Sequence, residues 1–169
     1  MTEQQKYKVL KRLDDLEIRE YEPCVLMQVS VRGDFMRAGN IGFGPLVRFI
    51  SGGNESRQKI AMTAPVLQAQ KEDGFITSFV MPASMSMSEM PSSPDRTLSF
   101  SEQPGGKFAA ISFSGLASQP LFDSKAQSLR KQLDAKQIVT AGPAIYARYD
   151  GPWTPFFLRH NEVLIPLQG

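Results

Sequence analysis

The chain has one cysteine, one histidine and one tryptophan among its 169 residues. A single thiol, Cys24, closes no internal disulfide, and one His with one Cys cannot make a four-ligand His/Cys zinc site. No stretch approaches the ~18 apolar residues of a membrane-spanning helix. The opening MTEQQKYKVLKRLDDLEIREYE lacks the apolar core of a signal peptide, so cytoplasmic residence is the expectation. Charge of one sign is also missing: 19 Lys+Arg stand against 17 Asp+Glu, a net +2. Phosphate binding needs a clustered basic face, so a nucleic-acid partner is not expected. Familiar catalytic signatures are absent: no G-x-G-x-x-G, no G-x-x-x-x-G-K, no H-E-x-x-H and no C-x-x-C. The expectation is a ligand-holding protein, not an enzyme.

What is present is globular, with 41% apolar and 21% charged residues, and it is doubled. In the first half, Cys24 to Val31 reads as a strand followed by Gly33 and a helical stretch ending near Ser51-Gly52-Gly53. Strand candidates Ile60 to Gln68 and Phe75 to Met81 follow, separated by the turn Lys71-Glu72-Asp73-Gly74. In the second half, Lys107 to Ser114 reads as a strand followed by Gly115 and a helix from Pro120 to about Lys136. Strand candidates Ala144 to Tyr149 and Phe156 to Pro166 close the unit around the turn Asp150-Gly151-Pro152. Each half is β-α-β-β, with Gly33 and Gly115 at equivalent points and Phe75 and Phe156 at nearly the same offset. Two such units cover each other's sheets when paired about a pseudo-twofold axis. One domain over 1–169 is expected, with halves of roughly 18–90 and 96–167.

The second helix is the more regular. Ser118 is its N-cap, Pro120 lies in the first turn, and Phe122, Ala126, Leu129 and Leu133 follow at helical spacing. The first carries Phe43, Leu46, Val47 and Ile50 on one face, interrupted by Gly39, Gly42, Gly44 and Pro45. A kinked or short helix is expected there, since an interior Pro costs ~3 kcal/mol. The glycines permit close approach of a backbone or of a flat ligand, and packing is the simpler reading.

Chemistry-bearing residues are few. Cys24 and His160 are the one possible Cys–His nucleophilic pair, but Cys24 stands in an apolar strand where free cysteines behave as buried hydrophobes. Met81 to Pro91, rich in Met and Ser, reads as soft-metal ligands or as a mobile loop whose thioethers fill gaps, the second being simpler. His160 is a candidate haem-iron ligand by residue type, and a surface or half-buried histidine is the simpler reading. Its neighbour Glu162 suggests that their face of the strand is partly solvated.

Two stretches resemble the SOUL haem-binding protein family. One is Gly52-Gly53-Asn54-Glu55-Ser56-Arg57-Gln58 with the Lys59-Ile60-Ala61-Met62-Thr63-Ala64-Pro65-Val66 core. The other is Tyr149-Asp150-Gly151-Pro152-Trp153-Thr154-Pro155-Phe156-Phe157-Leu158-Arg159-His160-Asn161-Glu162-Val163. Tyr7 to Leu10 and Ile18 to Tyr21 fit as well. The resemblance implies an α+β fold, a distorted antiparallel β-barrel flanked by two helices and built from two β-α-β-β repeats. It implies haem or another porphyrin bound in a hydrophobic groove beside the first helix. Phe43, Leu46, Val47 and Ile50 are then groove candidates, with Lys59, Met62 and Trp153 from the two motifs. Arg48, Arg57 and Lys59 are candidates to pair with propionates. Each of these apolar residues also reads as plain core and each cation as solvated surface.

The family's first-half histidine is missing, and His160 falls where the family usually carries Arg, so it inherits no ligand role. The function implied is a soluble, monomeric tetrapyrrole-binding protein for buffering or transfer. The alternatives are a haem-independent small-molecule or protein-interaction module of the gyrase-inhibitory-protein-like superfamily, and a haem-modifying enzyme. For the enzyme, His160, Tyr146 and Tyr149 are the only proton-transfer candidates near the closing motif.

Overall fold

The computed structural model describes residues 2–151 and 153–169. Met1 and Pro152, the last residue of the expected Asp150-Gly151-Pro152 turn, lie outside the described residues. The strands are β1 (Glu3–Gln4), β2 (Tyr7–Leu13), β3 (Leu16–Tyr21), β4 (Cys24–Arg32), β5 (Thr63–Ala64), β6 (Val66–Lys71), β7 (Gly74–Val80), β8 (Leu98–Gln103), β9 (Gly106–Phe113), β10 (Ile145–Arg148) and β11 (Asn161–Pro166). Helix α1 (Phe35–Ile50) follows β4, and α2 (Gln119–Ala135) follows β9. Nine strands form one curled sheet in the order β2-β3-β9-β11-β10-β6-β7-β4-β8 with antiparallel pairing throughout, while β1 and β5 pair in parallel.

That order contains the doubled unit. From its centre outward the sheet is β10-β11-β9 on one side and β6-β7-β4 on the other. Each half's preceding strand crosses over, so β3 pairs with β9 and β8 with β4. Gly33 and Gly115 stand at matching strand ends with φ +117 and +120, a conformation that L side chains rarely adopt. The match of Phe75 with Phe156 fails, however. Phe75 lies in β7, whereas Phe156–Leu158 is a 3-10 turn and the equivalent strand starts only at Asn161. The expected strand Ile60 to Gln68 is likewise divided. Pro65 has no N–H for a ladder, and β6 runs instead from Val66 to Lys71, with Lys71–Gly74 as its turn.

Both helices lie on one face. α2 has the expected cap, with Ser118 Oγ accepting the Leu121 N–H at 3.4 Å, and it buries Phe122, Ala126, Leu129 and Leu133 against Ile111, Val163 and Ile165. α1 departs from expectation: it is continuous for 16 residues through Pro45, capped by Asp34 Oδ1 on the Arg37 N–H at 2.8 Å. Gly39 and Gly42 are buried against the sheet. A Cβ on Gly42 would stand 3.1 Å from both Thr77 Oγ1 and Val29 Cγ1, so the glycines serve close packing. That approach buries Leu46, Phe49 and Ile50. At ~1.5–3 kcal/mol for each large apolar side chain, this outweighs the proline. Met81 is buried there and Met85, Met87 and Met90 pack against the same cluster, the gap-filling role. The curl encloses a third cluster on the helix-free face, with Tyr21, Leu26, Leu67, Val80, Ala147 and Leu164. No helix among the described residues is long and apolar enough to cross a membrane.

Candidate ligand-binding site

Two regions combine apolar surface with charge. The first lies beside α1. Register aligns Phe79, Val66, Arg148, Asn161 and Phe113 as one row across the end of the sheet. Phe43 stands over Phe79, ring centroids 5.5 Å apart, yet remains 41% exposed, and Met62 is 37% exposed. Val47 is half-buried, whereas Leu46 and Ile50 are core residues. Arg48, Arg57 and Lys59 are all exposed around the turn that follows α1.

Asn54 organises that turn. Its Nδ2 donates to the carbonyls of Phe49 at 2.9 Å and Gln58 at 2.8 Å, and its Oδ1 accepts the Gln58 N–H at 2.9 Å. The Gly52-Gly53-Asn54 cluster is thus the end of a helix, as its composition predicts. Trp153 belongs to the connection between β10 and β11, 84% exposed.

The second region is the helix-free interior, centred on Glu162. This carboxylate is 1% exposed, which corrects the expectation of a partly solvated face. Arg19, also buried, grips it with two hydrogen bonds of 2.8 and 2.7 Å. Ser112 Oγ donates at 2.9 Å and Tyr149 Oη at 2.8 Å, and His160 Nε2 lies 3.1 Å away. Arg19 also binds Glu17 and Tyr21 Oη at 2.9 Å each, and its guanidinium lies 4.1 Å over the Tyr7 ring.

Burial alone pushes Glu162 toward protonation, but the hydrogen bonds from Arg19, His160 and Tyr149 hold it well below the usual carboxylate range. The hydrogen bond to Glu162 raises His160, partly offset by burial. Burial followed by the Glu162 charge pushes the Tyr149 hydroxyl up, so it stays a donor. Beside the network lies a cavity of about 50 Å³, lined by Tyr21, Cys24, Leu26, Leu67 and Gln5 among others.

The structure separates several residues that composition could pair. Cys24 accepts a hydrogen bond from Gln5 at 3.7 Å, while His160 is stacked on Tyr149 at 4.4 Å and bonded to Glu162, so no Cys–His pair is formed. Tyr146 faces the helices, stacked on Phe122 and donating to Asp123, away from Tyr149. His160 belongs to the helix-free face through Glu162, whereas Phe43 stands on the helix face. Arg19, Tyr21 and Ser112 were not singled out from sequence. The signal available was alternation in Leu16-Glu17-Ile18-Arg19-Glu20-Tyr21, where Leu16 and Ile18 pack under α2 and Glu17, Arg19 and Tyr21 turn the other way. Among the described residues no group of three or more His, Cys, Asp or Glu is placed to hold a metal.

By sequence, residues 2–166 match the family described as SOUL heme-binding protein. No curated protein matches. By structure, the C-terminal domain of EcmrR is similar, with TM-score 0.68, 10% identity, and 96% of this chain and 98% of that one covered. A hydrolase from Listeria innocua has TM-score 0.60 and 8% identity, over 94% of each chain. SAV2435, solved bound to tetraphenylphosphonium, has TM-score 0.53 and 12% identity, over 97% of this chain and 94% of that one. At these identities the likeness shows the fold alone.

Proposed function

The chain belongs to the SOUL haem-binding protein family, and from that premise we propose that it binds a tetrapyrrole for buffering or transfer, on the apolar surface beside α1. The observation that carries this reading is Phe43, which rests on Phe79 but is left 41% open beside half-buried Val47. A macrocycle laid there would cover Phe43, Val47 and Met62, with Trp153 closing from the loop and Leu46 and Ile50 as the support beneath. Arg48, Arg57 and Lys59, exposed nearby, would meet the propionates.

The residues present fit the ring better than the iron. His160 is on the other face and already engaged with Glu162, so apolar contact is the main source of affinity, at ~25 cal/mol per Å² before ordering costs. Haem would add its own iron chemistry when bound; these residues bind and orient the ring.

Titration with haemin and with iron-free protoporphyrin tests this, following the Soret band and quenching of Trp153. Both ligands are expected to saturate at similar concentrations, and Phe43→Ser to weaken both by roughly tenfold or more, from the loss of ~1.5 kcal/mol or more of apolar burial. If neither saturates, tetrapyrrole binding is wrong. Haemin-selective binding that His160→Ala abolishes would instead make His160 the iron ligand. The gyrase-inhibitory-protein-like alternative would use the helix-free interior. There the enclosed cavity measures about 50 Å³, a more open one of about 440 Å³ lies along Tyr7 and Tyr21, and Arg19 already neutralises Glu162.

A further inference from the structure

The connection between β10 and β11 carries an apolar turn that the surface beside α1 does not use. Phe156, Phe157 and Leu158 are 55%, 63% and 65% exposed. The Phe156 carbonyl accepts the Gly115 N–H at 3.0 Å, tying the turn to the connection between β9 and α2, where Leu116 is 59% exposed. In the end row of the sheet this anchor lies on the Phe113 side, while Phe43 stands over Phe79 on the opposite side. The turn is therefore a separate apolar surface, and scattered single exposures do not account for four such residues tied together.

We propose that this turn is a wedge that docks the protein on a lipid bilayer surface. Each of its four side chains is more than half exposed, which leaves them open to insertion between lipids. The N–H groups of Thr154, Leu158 and Arg159 donate within the turn to Gly151, Pro155 and Phe156 at 3.2, 2.9 and 3.2 Å, which fixes the shape of the apolar tip. Positions 151–159 contain no Asp or Glu, while the exposed Asp150 before them accepts the His160 N–H. Arg159 follows the apolar tip with its Nε donating to the Thr154 carbonyl at 2.8 Å, and the Lys125 ammonium lies 5.7 Å from the Phe113 ring. An apolar tip above basic residues is complementary to a surface of anionic headgroups. The inference does not depend on which ligand the protein carries.

The test is flotation of the full chain with phosphatidylcholine vesicles, with and without phosphatidylglycerol, read also by emission of Trp153, the chain's one tryptophan. Flotation is expected, stronger with phosphatidylglycerol and accompanied by a shift of the emission to shorter wavelength. Phe157→Asp combined with Leu158→Asp is expected to reduce partitioning about tenfold or more with unchanged thermal unfolding. Val139→Asp, at an apolar site exposed to 59% elsewhere, should leave partitioning intact. Absence of flotation with either vesicle overturns the proposal, as does flotation that the double variant retains. A wild-type dimer that the double variant dissolves would assign the turn to a second copy and overturn it too. Haemin titration of the double variant without vesicles should be unchanged. A loss there would assign the turn to the ligand site instead.

Discussion

Glu162 and Arg19 dominate at the scale of single residues, because both charges are out of water and grip each other with two hydrogen bonds. Removing one partner leaves the other charge buried with only a lesser partner, Glu17 for Arg19 or His160 for Glu162, a loss of about 3 kcal/mol. Arg19→Met and Glu162→Gln are each expected to shift the urea midpoint accordingly, whereas Arg12→Met, at a side chain that is itself 75% exposed, should shift it little.

The same network sets the pH dependence. Glu162 is held below its ordinary value of 4.5, so its contribution is complete above that value and is lost as the pH falls through the folded one. His160 is raised above 6.5, so its contribution is complete below 6.5 and is lost as the pH rises through the folded value. Urea unfolding across a pH series should therefore show a small loss on the alkaline side of 6.5 that His160→Ala removes. The acid limb should persist in that variant, because Arg19 and Tyr149 still hold Glu162. An unchanged alkaline side in His160→Ala would disprove the assignment.

Among elements, α1 shows how packing overrides local preference. Read locally, Gly39, Gly42, Gly44 and Pro45 predict a kinked or short helix, yet α1 runs for 16 residues because glycine lets it lie close enough to bury Leu46 and Phe49. Gly42→Val should push it off Thr77 and Val29 at a cost of about 1–3 kcal/mol, measurable by denaturant unfolding. Asn54→Ala should cost a similar ~1–3 kcal/mol, since it removes the side-chain partner of both the Gln58 carbonyl and the Gln58 N–H and leaves the Phe49 carbonyl to backbone donors alone. α2 was legible in full because cap, first-turn proline and apolar spacing agree with one another. The start of β11 was not legible: Phe156-Phe157-Leu158 has a strand's composition, but the Pro155 and Phe156 carbonyls are taken up by the Leu158 and Arg159 amides of a 3-10 turn.

For the whole molecule, the doubled β-α-β-β pattern and the two matching motifs were visible in the residues themselves. Periodicity, caps and turn residues are local properties, and a repeat writes them twice. The α1 residues Phe43, Val47, Leu46 and Ile50 could be named from their helical face, but the face alone could not separate the open pair from the buried pair. That separation came from how closely the glycines seat the helix on the sheet. The Arg19–Glu162 pair was invisible for a related reason: β3 and β11 meet only through β9, and which charged residues share an interior depends on the crossover of the halves and the curl of the sheet. Sequence by itself determined the family, the doubled β-α-β-β pattern and the single cysteine, histidine and tryptophan that restrict the chemistry. Only the tertiary structure decided which apolar chains stay open, which face His160 occupies and which carboxylate is buried. Exposure and pairing are set by contacts between segments far apart in the chain, and no local pattern encodes those.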